Sequence, residues 1–321
     1  MLILGPDAVD ASLTYKGLIE TLREAFKAGA VQPVRHHHHV ERPDGAANTL
    51  LLMPAWTDLQ AAGRSAGGHI GIKIVTVAPD NGKLSKPAVM GNYLLLDAAT
   101  GEPQAMIDGQ KLTVWRTACA SALAADYLAR PDAAVHLICG AGALSPHLAK
   151  AHRAVRPLRR VLLWNRTAAH AAAVAEALQA DGIDAQAVDD LDAAQAQADV
   201  ISCATLSSVP LVKGALLKPG THVDLVGAFT PTMRESDDEA IRRARVYVDT
   251  RAGATKEAGD IVLALQSGAL TEGDIRGDLF DLTRGKAAGR NLDSEITLFK
   301  SVGAALEDLA AGIAVYRAQQ G

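Results

Sequence analysis

Aromatic residues are scarce, at 4% of 321 positions. That leaves few platforms for stacking unpaired bases. An excess of positive charge is also missing. Lys and Arg total 32 against 36 Asp and Glu, for a formal net charge of −4. A nucleic-acid partner is therefore not expected. Cysteine is rare: Cys119, Cys139 and Cys203 lie far apart, and their odd number and spacing argue against a disulfide framework. Cys139 and Cys203 sit in apolar runs, where a thiol acts as a small hydrophobe, which fits a reducing compartment. No stretch approaches 18 uninterrupted apolar residues, and the amino end has no basic segment leading into an apolar one. Neither a membrane span nor a secretory leader is expected, and a cytoplasmic location is. Without His-Glu-x-x-His, Cys-x-x-Cys or Gly-x-Ser-x-Gly, zinc hydrolase and serine hydrolase chemistry have no anchor.

What is present suits a soluble globular protein: 49% hydrophobic and 21% charged residues. At roughly 150 residues per domain, the length predicts about two domains. Residues 13–30 place Leu18, Leu22, Ala25 and Phe26 at helical spacing. After Pro33 the period becomes 2. Thr49–Met53, Ile70–Val77, Tyr93–Asp97 and Pro103–Ile107 read as strands, with a hairpin turn over 98–102. From about residue 116, short apolar strands alternate with helices. The strands are Ala133–Cys139, Arg160–Trp164, Ala185–Val188, Asp199–Ala204, His222–Val226 and Arg245–Val248. This rhythm predicts a covered parallel sheet. Leu298–Tyr316 reads as a closing amphipathic helix. The fold class is α/β: a Rossmann-like doubly wound parallel sheet over 116–294, and a discontinuous α+β domain from 1–115 and 295–321.

The run Ala133 to Ser145 passes from an apolar strand through Gly140-Ala141-Gly142 toward a helix. Gly140 permits a tight turn, and Gly142 lets backbone N–H groups approach a pyrophosphate at a helix N-terminus. Ser145 stands where the third glycine of a dinucleotide fingerprint would be. The next strand ends in Trp164-Asn165-Arg166-Thr167, with no carboxylate to hold a ribose 2′-hydroxyl. Arg166 can pair with a 2′-phosphate instead, so NADPH is the expected cofactor, with NADH the alternative. A solvated Arg166 and a Thr167 that merely caps a helix form the competing account.

Two further cations stand out. Lys73 lies in an otherwise apolar strand, where a buried ammonium requires an anion or a depressed pKa. Arg116 lies where the two textures meet, and clefts between domains are favoured ligand sites. An edge-strand lysine and a junction salt bridge are the plainer readings. His36 to His39 look like a metal site, but successive strand residues face opposite ways. A partly exposed polar strand is expected there, and no metal.

Seven ordered pieces resemble the ornithine cyclodeaminase/mu-crystallin family over essentially the whole chain: Gln32-Pro33-Val34-Arg35, Ile72-Lys73-Ile74-Val75, Trp115-Arg116-Thr117-Ala118, Gly140-Ala141-Gly142, Trp164-Asn165-Arg166-Thr167, Val226-Gly227-Ala228 and Glu257-Ala258-Gly259-Asp260. The resemblance implies that Arg35, Lys73 and Arg116 surround a substrate carboxylate, with Phe229 and Glu257 beside the substrate and Lys73 catalytic. It implies cofactor contacts at Gly140, Gly142, Ala143, Leu144, Asn165, Arg166, Thr167, Thr205, Leu206 and Val226, and a homodimer built through the first domain. Two departures matter. Leu144 replaces a common Gln, and Phe229 stands where cyclodeaminases of the family look to carry a catalytic Asp. Phe cannot act as acid, base or hydrogen-bonding group. The stretch Val226 to Pro231 is similar to the ketimine reductase branch, which implies reduction of Δ1-pyrroline-2-carboxylate and of Δ1-piperideine-2-carboxylate. A cyclodeaminase, an alanine-dehydrogenase-like enzyme and a non-catalytic small-molecule binder are the alternatives. A core role for Phe229, and Lys73 as a Schiff-base nucleophile, also stay open.

Overall fold

A computed structural model describes residues 1–59, 67–84 and 86–320. The elements begin with β1 (Leu2–Leu4), α1 (Pro6–Ser12), α2 (Tyr15–Ala28), β2 (His36–Val40), β3 (Asn48–Trp56), β4 (His69–Val77), β5 (Val89–Asp97) and β6 (Pro103–Asp108). There follow α3 (Gly109–Leu128), β7 (Val135–Cys139), α4 (Leu144–Arg153), β8 (Arg160–Trp164), α5 (Ala168–Ala180), β9 (Ala185–Ala187), α6 (Leu191–Gln197) and β10 (Val200–Cys203). The chain closes with β11 (His222–Leu225), α7 (Asp238–Arg243), β12 (Ala244–Val248), α8 (Arg251–Glu257), α9 (Gly259–Ser267), β13 (Ile275–Asp278), α10 (Leu279–Thr283), β14 (Ile296–Lys300) and α11 (Ala305–Ala318). They separate into two units, Met1–Arg116 with Ala304–Gly321, and Thr117–Gly303.

The first unit holds a six-stranded sheet in the order β1-β6-β5-β4-β3-β2. Neighbours from β2 to β6 pair antiparallel, and β1 joins β6 in parallel. The β5–β6 turn is built by Asp97, whose Oδ1 accepts from the N–H groups of Ala99 and Thr100, both at 2.9 Å. In α2 the Thr14 side chain accepts from Gly17 N, and Leu18, Ile19, Leu22 and Phe26 are buried. Each such side chain contributes about 1.5–3 kcal/mol by leaving water. Burial alternates along β4, with Gly71 and Lys73 inside. The four histidines form the exposed strand β2.

The second unit is an eight-stranded, wholly parallel sheet in the order β13-β12-β14-β11-β10-β7-β8-β9. From β7 the chain first builds outward through β8 and β9, then returns to place β10 on the other side of β7. That reversal makes a doubly wound, Rossmann-like sheet whose crevice lies beyond the carboxyl ends of β7 and β10. Leu137, Cys139, Leu162, Ile201, Cys203, Val223 and Leu298 fill its core.

One expectation is corrected. Leu298–Tyr316 is not a single amphipathic helix: Leu298–Lys300 ends β14, between β11 and β12, and α11 begins at Ala305. Its first eight residues, Ala305 to Gly312, are all buried. A short apolar run in a central parallel strand has no period-2 polarity, so periodicity alone cannot tell it from a buried helix. The chain accordingly leaves the second unit after Gly303 and not at 295.

Candidate active site

The first unit gathers a buried ionic cluster. Lys73, from the middle of β4, is 3% exposed, and Arg116, on α3, is 6% exposed. Arg116 follows Trp115, whose ring stacks on Tyr15 at 4.4 Å and whose Nε1 donates to Asp10 at 2.7 Å. Those contacts tie the first half of α3 to α1 and to the start of α2. The partners come from the first turn of α11. Lys73 Nζ lies 3.0 and 2.9 Å from the two Asp308 oxygens. Arg116 reaches Asp308 Oδ1 through Nε at 3.1 Å and Glu307 Oε2 through Nη1 at 2.8 Å. Both carboxylates are fully buried. They sit at a helix N-terminus, where the dipole favours negative charge. Gln32 Oε1 accepts from Leu306 N at 3.1 Å, tying the segment that carries Arg35 to the same helix start.

The plainer reading of Lys73 as a solvated edge-strand residue is overturned. β4 lies between β3 and β5. Its anion is internal, and Asp308 and Glu307 are the residues that sequence reading missed. Neither carried a motif, and an acidic pair opening a helix is common. Arg35 also acts on this cluster electrostatically, through its effect on Lys73. Lys73 is pulled down to about 8, first by burial, then by Arg116, with Arg35 adding to the effect and Asp308 opposing it. The lysine therefore passes between ammonium and amine near neutral pH.

The second unit carries a crevice of its own. Gly140 turns with φ +109°, and a Cβ there would lie 2.7 Å from Ala204 O. Beside Gly142 nothing lies within 4 Å of where a Cβ would stand, so a ligand can approach the backbone. Ser145 is buried and its Oγ donates to Gly140 O at 2.9 Å, holding the turn from beneath. A crevice there is lined by Gly140, Ala141, Gly142, Trp164 to Thr167, His170, Ala204 to Ser207, and Leu211. It follows the ends of β7, β8 and β10, where a doubly wound sheet binds ligands.

Seven of the expected cofactor residues meet in this crevice: Gly140, Gly142, Asn165, Arg166, Thr167, Thr205 and Leu206. Ala143, Leu144 and Val226 do not line it. Ala143 and Leu144 open α4, and Val226 lies at the end of β11. Thr167 occupies the N-cap position of α5, yet its side chain makes no capping bond. Asn165 Nδ2 donates to Thr167 O at 2.9 Å, and Arg166 is exposed. Phe229 is 46% exposed, so it is not a core residue. It follows Ala228, which adopts φ +47°. Glu257 is half-buried at the end of α8.

Three comparisons bear on these sites. A family model described as the ornithine cyclodeaminase/mu-crystallin family matches residues 3–321. A Δ1-pyrroline-2-carboxylate reductase of Paracoccus denitrificans is 38% identical over 293 residues, covering 91% of this chain and 92% of that protein. The solved structure of Thermococcus litoralis Δ1-pyrroline-2-carboxylate reductase, in complex with NADH and L-proline, superposes with a TM-score of 0.91 at 32% identity, covering 100% of this chain and 98% of that one. An archaeal alanine dehydrogenase dimer with bound NAD has a TM-score of 0.89 at 28% identity, covering 100% and 96%.

Proposed function

The chain belongs to the ornithine cyclodeaminase/mu-crystallin family, and from that premise we propose that it is an NAD(P)H-dependent imine reductase of the CH–NH class. Its proposed substrate is a small cyclic ketimine acid. Δ1-Pyrroline-2-carboxylate would give L-proline, and Δ1-piperideine-2-carboxylate would give L-pipecolate. The relatives named for the first of these reactions support that choice.

The carrying observation is the buried lysine set at about 8, paired with Asp308 beside Arg116 and Glu307. Arg35 and Arg116 would hold the substrate carboxylate, since guanidinium–carboxylate bonds fix both position and plane. A cyclic imine accepts hydride well only when its nitrogen carries a proton. Lys73 can supply that proton because its ammonium and amine forms are close in free energy at neutral pH. Asp308 keeps the ammonium form accessible against desolvation. A reduced nicotinamide supplies the hydride when bound. The Gly140–Gly142 turn, Asn165, Thr167 and Thr205 would hold the dinucleotide, and Arg166 would select a 2′-phosphate, favouring NADPH. Phe229, exposed and without hydrogen-bonding capacity, fits a hydrocarbon ring and cannot replace a catalytic carboxylate.

A homodimer through the first unit is part of the same proposal. The sheet face turned away from Lys73 and Tyr93 carries Ile72, Leu94 and Met106 in cross-strand register, and Ile74 opposite Asn92, with Ile74 and Met106 exposed. Contiguous apolar surface of this kind marks a contact face.

The test is loss of the reduced-nicotinamide absorbance band with each cyclic imine acid and each cofactor, beside ornithine with NAD. Rapid oxidation of NADPH by the pyrroline acid is the expected result. Ammonia release from ornithine without net cofactor consumption would instead make the chain a cyclodeaminase. Cofactor binding without turnover of any imine would make it a binder.

A further inference from the structure

Beneath the dinucleotide crevice lies a second ionic cluster, which the proposed chemistry does not use. Lys300, the last residue of β14, is fully buried and donates through Nζ to the Gly227 carbonyl. Its ammonium lies 3.4 Å from Asp260 Oδ2 and 4.0 Å from Glu235 Oε2. Asp260 spends its other oxygen on Glu235 N, Ser236 N and Ser236 Oγ, at 2.8–3.0 Å. Glu235 turns its other oxygen toward the crevice, where Oε1 accepts from Thr205 N at 2.7 Å and Thr205 Oγ1 at 2.8 Å. Thr205 belongs to the crevice wall, next to Leu206, which is 71% exposed at the rim.

The chain ends of β10 and β11 are pressed together here. A Cβ on Gly227 would lie 2.1 Å from Thr205 O and 2.4 Å from Glu235 Oε1, so only glycine fits. Glu235 thus clamps the loop after β10 to the turn after β11, with Lys300 holding the turn from below.

We propose that Glu235 is a positioning residue for the dinucleotide: its carboxylate holds Thr205 and the adjoining rim in the shape that receives the cofactor, and protonation of the buried cluster loosens that grip. This rests on the reading that a nicotinamide dinucleotide occupies the crevice. Two fully buried carboxylates share one buried ammonium, so the pair cannot both stay charged at low cost. Burial lifts Glu235 to about 7; Lys300 opposes the shift and Asp260 adds to it. The Cys203 thiol of β10 also faces the cluster. Its bond to Cys139 of β7, and then burial, push it far up, so it stays neutral. An ionised Glu235 accepts both Thr205 bonds as charge-assisted bonds, whereas a neutral one accepts them more weakly.

The experiment is NADH binding to the full chain, followed by cofactor fluorescence across the pH range around neutrality. NADH has no 2′-phosphate to titrate. The wild type should bind about tenfold more weakly below the Glu235 transition than above it, the size of one charge-assisted bond. Glu235→Gln should show the weak affinity at every pH, with a flat profile. Thr205→Val, which leaves the cluster charges in place, should weaken binding while keeping the pH dependence. Circular dichroism confirms that both variants are folded. A wild-type profile without pH dependence, or Glu235→Gln retaining the full wild-type slope, overturns the proposal. If the wild type binds neither NADH nor NADPH at any pH, the reading of the crevice falls and the proposal falls with it.

Discussion

The two units build their candidate sites in opposite ways. The crevice of the second unit is made largely of backbone: a glycine turn, open space beside Gly142, and strand ends that follow one another within the parallel sheet. The cluster of the first unit is made of side chains. Lys73, Arg116, Glu307 and Asp308 come from three elements separated by up to 235 positions. A backbone site tolerates changes at most single positions. A side-chain cluster in a dry interior does not, because each member offsets the desolvation of the others. Substitutions should therefore have large effects in the first unit and graded ones in the second.

The largest effect belongs to Lys73→Met. Turnover of the cyclic imine should fall by about 10²- to 10⁴-fold, the range for removing a proton donor. NADPH affinity, measured by fluorescence, should hold. The wild type adds a pH signature. Burial favours the amine, so the ammonium is present below about 8 and lost above it. Turnover that draws its proton from Lys73 therefore declines as pH rises through that value. Unchanged turnover in Lys73→Met would remove the lysine from the chemistry and undo the contrast between the units.

Asp308→Asn comes next. It leaves Lys73 without its carboxylate and Arg116 with only Glu307 among the partners described above. Breaking a buried pair from one side costs about 3–5 kcal/mol, readable by denaturant unfolding. The substitution also removes the interaction that raises the Lys73 pKa. The alkaline decline in turnover should thus begin at lower pH than in the wild type. A stable variant with an unmoved profile would show that Asp308 neither holds nor tunes the lysine.

This contrast also explains what the sequence could tell. The β7 strand, its glycine turn and the Trp164-Asn165-Arg166-Thr167 strand end are local in the chain, so spacing was enough to read them. Lys73 and Arg116 were visible because cations in apolar settings are costly. Asp308 and Glu307 were not, since partnership across 235 positions leaves no periodicity. Glu235 and Lys300 were hidden for the same reason. Leu298–Lys300 reads as the start of a helix because a short, mostly apolar run carries no strand signature of its own. The β1 and β13 strands are three and four residues long, too short for a pattern.

Arg166→Ala tests the second unit on its exposed side. The end of β8 has no carboxylate and Arg166 lines the crevice, so under the proposed function Arg166 would meet a 2′-phosphate. The Michaelis constant for NADPH should rise about tenfold, the worth of a charge-assisted contact at a solvated site, with little change for NADH. Equal effects on the two cofactors would assign Arg166 to solvent and leave preference to other groups.

The smallest effect is expected where the fingerprint departs from three glycines. Ser145 is buried, and its hydroxyl donates to the Gly140 carbonyl from within α4. The bond joins the first helical turn to the loop that must stay open beside Gly142. Ser145→Ala removes it without adding volume, leaving the carbonyl one partner short, so stability should fall by about 1 kcal/mol. NADH affinity should change by less than about threefold, because the loop's turn is set by Gly140 with its φ of +109° and by the Gly140 N–H bond to Trp164 O at 2.8 Å. A loss of affinity as large as that of Arg166→Ala would mean that the loop is held by side chains after all. The second unit would then depend on its buried polar contacts as strongly as the first depends on Asp308.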